Sequence, residues 1–461
     1  MTEGKSIRIS EEQHELAIEG IPQLFVKYAV PGVIGLLFLG IQAVIDGIVL
    51  SHFAGAKALA SVSLVLPCYN LMVAVAIVIA IGCQALIGIR LGQSDFRSAN
   101  DALTTAFTFL AVFSGVVSVA IYIMAEPLAG WLGANQVLQA DSAAYIRSLA
   151  PFFPFLTLMF LGDYILKITG RPVYATSILS GTVIVNILLD LLFVGLWGWG
   201  VTGAGVATGI AFTLGALFNV PAMFNLKQVV CVRLGRFRWR TLGQMFYNGS
   251  SEGISELSAG ISIFMFNWVM MKYIGPDGVA AFTVLGYILF IGVTVFLGIS
   301  DGIIPIMSYN YGNARPDRVK WTLFLAARTN LIIGVVLFTL LLVAGQWIVA
   351  LFFKSGETSV LDIATQGTAV YAVAFLFNGL NILASGFFTA LGDAKWSVIV
   401  SLCRGLLFIA LGVYCFPLWF GLKGIWLVIP VAELCTFLIS FALVYRKIRK
   451  ISERESLVSA K

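Results

Sequence analysis

Apolar runs of membrane-spanning length follow one another along nearly the whole chain. A hydrocarbon core about 30 Å thick takes about 20 helical residues to cross. Runs of that length, parted by Gly, Pro and charged residues, lie near 23 to 52, 57 to 89, 97 to 124, 140 to 167, 173 to 196 and 202 to 226. Six more lie near 242 to 274, 278 to 310, 318 to 348, 362 to 390, 396 to 418 and 424 to 446. With 59% hydrophobic and 11% charged residues, the chain has too little polar surface for a water-soluble fold, where charge runs near 25%. The expected fold is all-α and integral to the membrane, with twelve transmembrane helices in two six-helix lobes related by pseudo-twofold symmetry.

Basic residues set the expected orientation. With a cytoplasmic N-terminus, the inward connections and the tail hold Arg90, Arg97, Lys167, Arg171, Lys227, Arg315, Arg318, Lys395, Arg446 and Lys447, among others. The outward ones hold Lys57, Lys272, Lys354 and Lys423. This bias places both termini in the cytoplasm. It also accounts for the net charge of +6 without a nucleic-acid partner. The first twenty residues are polar and lack the apolar region of a cleaved signal peptide.

The chain repeats itself. IRLGQSDFRSA after the second run returns about 220 residues later as YNYGNARPDRV, and KITGRPVYA after the fourth returns as TALGDAKWS after the tenth. An even number of spans per repeat makes the halves parallel, with the solute path expected between them and alternating access by rocking. The basic stretch VCVRLGRFRWRTL is the natural linker. The expected division is a cytoplasmic segment 1–22, a first lobe 23–227, a linker 228–241, a second lobe 242–446 and a cytoplasmic tail 447–461.

Polar residues inside the spans carry the functional signal, because an ionisable group in hydrocarbon is costly and usually faces a partner or a cavity. Asp46 lies deep in the first span. In the fifth, Asn186 and Asp190 are four apart and share a helix face. Their oxygens suit a hard cation, or the acids take up a proton instead. Thr208 lies in the sixth span among small residues that permit close packing. Tyr145, in the fourth, is placed to reach a buried carboxylate, whereas Arg147 and Asp163 read as boundary or lobe-stabilising charges. The repeat offset puts Phe408 and Gly412 where Asn186 and Asp190 stand, so the oxygen pair exists in the first half alone. The second half offers Glu252, Glu256, Asn378 and Asn381 as substrate-cavity candidates, with Asp301, Arg404 and Glu433 besides. Pro31 beside Gly32 suggests a bend fifteen residues before Asp46.

Competing chemistries find little support. The six cysteines are scattered singly inside apolar stretches, and the two histidines lie outside span interiors. There is no HExxH, GxSxG or P-loop. The protein is therefore expected to be no enzyme and to transport without ATP.

The chain resembles prokaryotic members of the multidrug and toxic compound extrusion (MATE) family. The resemblance rests on twelve spans in two lobes, a basic central loop, the turns GQSDF, GNARPDRV, ITGRP and ALGDA, Asp46, the N-x-x-x-D pair Asn186 and Asp190, and Thr208 after GAGVAT. It implies that Asp46, Asn186, Asp190 and Thr208, with Tyr145, bind Na⁺ or H⁺ in the first lobe, and that organic, often cationic, compounds leave in exchange. It implies a monomer in the bacterial inner membrane, in contact with lipid and without a cofactor beyond the coupling ion. Other branches of the family place essential acids in the seventh and tenth spans, where this chain has Glu252 and Glu256 but then Asn378 and Asn381. A lipid-linked precursor flippase, or an exporter of one metabolite, is the alternative within the same superfamily. Such a flippase typically lines its cavity with basic residues, whereas the first-lobe charges here are mainly acidic.

Overall fold

The computed structural model describes residues 15–226, 228–233, 235–350 and 358–459. The start of the N-terminal segment with His14, the basic residues Lys227 and Lys354, and the last two residues of the tail lie outside the described residues.

Among the described residues, ten helices are long and apolar enough to cross a membrane, and a bent pair at 54° qualifies jointly. The longest, Ile21–Gly92, breaks at Gly55, whose φ of 87° ends one span and starts the next. Twelve crossings result. They are α1 (21–54), α2 (56–92), α3 (Phe96–Ile123), α4 (Gln139–Ile168), α5 (Pro172–Leu196) and α6 (Gly200–Met223). The second six are α7 (Trp239–Tyr273), α8 (Pro276–Gly312), α9 (Pro316–Ala350), α10 (358–390, bent before Phe375), α11 (Ala394–Gly421) and α12 (Lys423–Glu453). Helical backbone continues past α12 to Ser459, so much of the expected tail extends the last helix. The chain stays helical through Pro31, and the bend suggested there is not a break in α1.

The repeat is visible in the backbone. Gly55 and Gly275 take φ of 87° and 92°, Gly170 and Gly392 take 87° and 71°, and the two non-glycine residues of positive φ among the described residues, Ser94 at 59° and Ala314 at 51°, stand at the same offset. At Ser94 and Ala314 the helix ends in the same paired hydrogen bonds. Asp95 N donates to Arg90 O and Ser94 N to Leu91 O, and Arg315 N donates to Asn310 O and Ala314 N to Tyr311 O. Such a left-handed residue satisfies the last carbonyls of α2 and α8. The cores match too: Val49, Val62 and Val65 of one cluster recur as Val269, Phe282 and Leu285 of the other.

Two units emerge, and neither coincides with a six-helix half. Of the described residues, the first comprises those of Ile34–Gly249 with residues 15–19, and the second comprises Gly20–Val33 with those from Ser250 onward. The first lobe expected at 23–227 thus loses the beginning of α1 to the second unit and gains the linker and the beginning of α7. In the second unit the α1 segment lies so close to α8 that a Cβ on Gly302 would sit 2.6 Å from Tyr28 O. In the first, α7 approaches α2 as closely, with Gly249 facing Val78 O and Gly82 facing Met245 O.

The linker is fixed to the first unit by the N-terminal end of α3. Asn100 Oδ1 accepts from Cys231 N at 2.6 Å, Thr104 Oγ1 from Arg233 N at 2.8 Å and Thr105 Oγ1 from Arg238 N at 3.2 Å. Asp101, 2% exposed, forms ion pairs with Arg238 at 2.8 Å and Arg236 at 3.7 Å.

The N-terminus of α3 is capped by Asp95, whose carboxylate accepts from Ser98 N at 3.1 Å. Ser98, first through its side chain and then its backbone, and Arg90 hold this carboxyl below its ordinary value of 3.8. A depressed native value means the cap stabilises the folded state at neutral pH and loses that contribution as pH falls through it. Asp95→Ala is expected to cost about 1 kcal/mol at pH 7, with the difference from wild type vanishing in acid. Thermal unfolding of both proteins across that pH range checks it.

Candidate cation site in the first unit

Asp46 sits on α1 one turn after Gln42, and Asp190 on α5 one turn after Asn186, so each helix presents an amide and a carboxyl on one face. Asn186 is fully buried, Asp190 is 2% exposed, Gln42 is buried and Asp46 half-buried. Gln42 Nε2 donates to Asn186 Oδ1 at 2.6 Å, and Asn186 Nδ2 donates to Thr208 Oγ1 at 3.3 Å. The two amides thereby tie α1, α5 and α6 together.

The carboxyls of Asp46 and Asp190 meet within hydrogen-bonding range of each other. The neighbouring amides of Gln42 and Asn186 border the two carboxyls, but their well-formed hydrogen bonds go to Asn186 Oδ1 and Thr208 Oγ1, and among the described residues Asp46 Oδ1 and both oxygens of Asp190 are buried without a hydrogen bond of good geometry. At an effective dielectric of 20, two unit charges about 4 Å apart repel by about 4 kcal/mol. The pair demands a positive charge, which a shared proton or an oxygen-ligated hard cation supplies. Its orphaned oxygens, with Asn186 Oδ1 and Thr208 Oγ1 alongside, are a donor set that fits Na⁺. Tyr145, buried on α4, and Tyr69 on α2 both lie within electrostatic reach of Asp46, and Tyr145 of Asp190 also.

Local sequence explains how these groups converge. Gly205 and Gly209 flank Thr208 and let α6 close on α4; a Cβ at Gly209 would lie 2.0 Å from the Phe152 ring. After Asp190 the chain widens into a π-helical stretch, Leu191–Leu196, with Trp197 N donating to Leu192 O five residues back. Such stretches cluster at functional sites.

The five residues expected to bind the cation are thus gathered in one unit. Gln42 and Tyr69 join them without having been singled out from the sequence. Gln42 was within reach, since an amide four residues before Asp46 lies on its face. Tyr69 carried no such signal, because only the packing of α1 against α2 brings it near.

The remaining candidates are placed elsewhere. Arg147 pairs with Glu126 at 2.9 Å on the exposed surface, while Asp163 pairs inside the first unit with Lys167, one turn on. In the second unit Glu252 is half-buried and Glu256 exposed, and Arg404 lies within electrostatic reach of both and of Glu433. Asn378 and Asn381, the other expected cavity residues, are buried and turned to Glu433, itself 4% exposed. Asn378 Nδ2 donates to Glu433 Oε1 and Asn381 Nδ2 to Oε2, both at 2.7 Å. Arg404 belongs to a second π-helical stretch, Cys403–Leu407, in α11, the repeat partner of α5.

A model of the MatE family matches residues 31–192 and 255–414, a division that follows the repeat. The chain is 22% identical to the multidrug export protein MepA of Staphylococcus saprophyticus over 422 residues, 91% of this chain and 92% of that protein. It is 22% identical to MepA of Staphylococcus aureus over 88% of this chain and 90% of the relative. Among solved structures it is similar to an outward-facing multidrug resistance MATE family transporter of the MOP superfamily, with a TM-score of 0.89 at 21% identity over 95% and 98% of the two chains. A MOP superfamily transporter from Pyrococcus furiosus aligns with a TM-score of 0.88 at 21% identity over the same shares.

Proposed function

The chain belongs to the MATE family of multi-pass membrane transporters, and from that premise we propose that it is a secondary antiporter, exporting organic, often cationic, compounds in exchange for Na⁺ or H⁺. The observation that carries the reading is the Asp46–Asp190 pair, two carboxyls in mutual reach, three of whose oxygens are buried without a well-formed hydrogen bond among the described residues. One positive charge satisfies the pair, and its departure restores the repulsion between α1 and α5. Asp46 stands on the one helix that begins in the second unit and ends in the first. A change of charge there is therefore applied to a helix that both units hold, as alternating access requires.

The multidrug export relatives support small organic compounds as the exported class, and the basic connections support a bacterial inner-membrane location with cytoplasmic termini. Asp46 and Asp190 bind the coupling ion, Asn186 and Thr208 add neutral oxygens, and Gln42 orients Asn186. Tyr145 and Tyr69 border the carboxyls. Proteoliposomes loaded with a fluorescent organic cation, under a Na⁺ gradient alone or a pH gradient alone, test the reading. One of the two is expected to drive flux. Flux indifferent to both sinks the antiport reading.

A further inference from the structure

The second unit has its own buried carboxylate, built differently from the pair in the first. Both Glu433 oxygens accept from asparagine amides, and among the described residues no second carboxyl shares its hydrogen bonds. The two amides are not equivalent. Asn381 Nδ2 serves both Glu433 Oε2 and Glu433 O, at 2.7 and 2.8 Å, while its Oδ1 accepts from Ser440 Oγ at 2.9 Å. Turning that amide over would break three hydrogen bonds and set oxygen against oxygen. Asn378 makes one hydrogen bond through Nδ2, and its Oδ1 is buried with no partner among the described residues. A buried carbonyl oxygen left unpaired costs about 1–3 kcal/mol, so it is a feature in need of a donor.

We infer that Glu433 is a proton-carrying site of the second unit, and that the Asn378 amide reports its protonation by turning over. With Glu433 ionised, Asn378 points Nδ2 at Oε1, as observed. When a proton from water bonds to Oε1, the carboxylate becomes a neutral acid and a donor. Asn378 then presents Oδ1 to that O–H, and Nδ2 takes the unpaired place that Oδ1 held, so the amide keeps one hydrogen bond in either state. Release reverses both changes, and the proton returns to water. Asn381 holds the other oxygen throughout and keeps the side chain in place.

Arg404, from the π-helical stretch of α11, is the charged group that faces Glu433, and it also faces Glu252 and Glu256 on α7. Neutralising Glu433 removes one of the three acids sharing this guanidinium. The charge of Arg404 is then borne by the two glutamates at the start of α7, where Glu256 is exposed. This links a buried protonation to the charge presented at a surface of the second unit, and it extends the antiport reading to the second repeat.

The test uses the full-length protein in lipid vesicles, in an Asp46→Asn/Asp190→Asn background that silences the first site. Infrared difference spectra between high and low pH are expected to show a protonated-carboxylic-acid band that Glu433→Gln abolishes. In Asn378→Leu, which removes the turning amide and keeps Asn381, the same band is expected to shift to the position of a more weakly hydrogen-bonded acid. In the otherwise wild-type transporter, Glu433→Gln is expected to lower the protons exchanged per substrate by one. A band set unchanged by Glu433→Gln, or a Glu433 band that Asn378→Leu leaves in place, overturns the inference. Should Glu433→Gln not fold, the Asn378→Leu shift decides alone. Because the spectra need no transport, failure of the antiport reading leaves this test intact, and the reverse also holds.

Discussion

Replacing Asp190 by Asn is expected to reduce gradient-driven export about a hundredfold, toward the upper end of coupling free energies of about 1–3 kcal/mol between linked sites. The substitution keeps the shape and hydrogen-bonding capacity of the side chain and removes the charge for which the pair needs a cation. Asp46→Asn should do the same. Since the two carboxyls meet each other and share one positive charge, the double variant should be little worse than either single one, a strongly non-additive cycle. Substrate binding without a gradient should change far less, because Asp190 is buried and Asp46 half-buried where α1, α5 and α6 are tied together. Flux and equilibrium binding measured side by side on the four proteins check this. Full additivity, or an Asp190→Asn protein that exports normally, would show that the pair does not act as one site.

The second large effect is expected where the linker meets α3. Either Arg236→Ala or Arg238→Ala alone leaves Asp101 a partner, and both guanidinia are partly exposed, at 40% and 55%. Each single variant should cost below about 1 kcal/mol. The double variant leaves a carboxylate that is 2% exposed with no counter-charge, at a cost of about 3 kcal/mol. Asp101→Asn in that background should recover most of the loss, because it removes the stranded charge. Thermal unfolding of the purified protein reads the series. A double variant that merely sums the singles would mean that Asp101 is reached by water or by other partners.

Much of this architecture is legible in the sequence, and the reason is physical. Span positions follow from the length of apolar runs, so most predicted ends fall within a few residues of the observed ones. The breaks at Gly55 and Gly275 sit where the runs were parted, and the turns at Ser94 and Ala314 are the two that the self-comparison aligned. Asn186 and Asp190 were readable as a pair because helical geometry puts residues four apart on one face. That Asp46 would meet Asp190 rested on family resemblance, since no periodicity relates α1 to α5. The same limit hid Tyr69. In the second half the repeat offset led from Asn186 and Asp190 to Phe408 and Gly412 and so to no site. The carboxylate cluster there is assembled from α10 and α12, with Arg404 from α11, and its members have no counterpart at the offset positions. The largest departure concerns the ends of α1 and α7. Hydropathy assigns a span to the half whose sequence contains it, whereas packing assigns these ends by the neighbours that their small residues allow them to touch.

That exchange bears on how such a chain arose. Each repeat lends the opening turns of its first helix to the other, so a gene encoding one repeat would make a half whose missing helix end must come from a second copy. The ancestral form implied is a domain-swapped dimer. Fusion through the linker, with its arginines anchored on Asp101, would have made the swap intramolecular and freed the two copies to diverge, one toward an acid pair and the other toward a single amide-held glutamate.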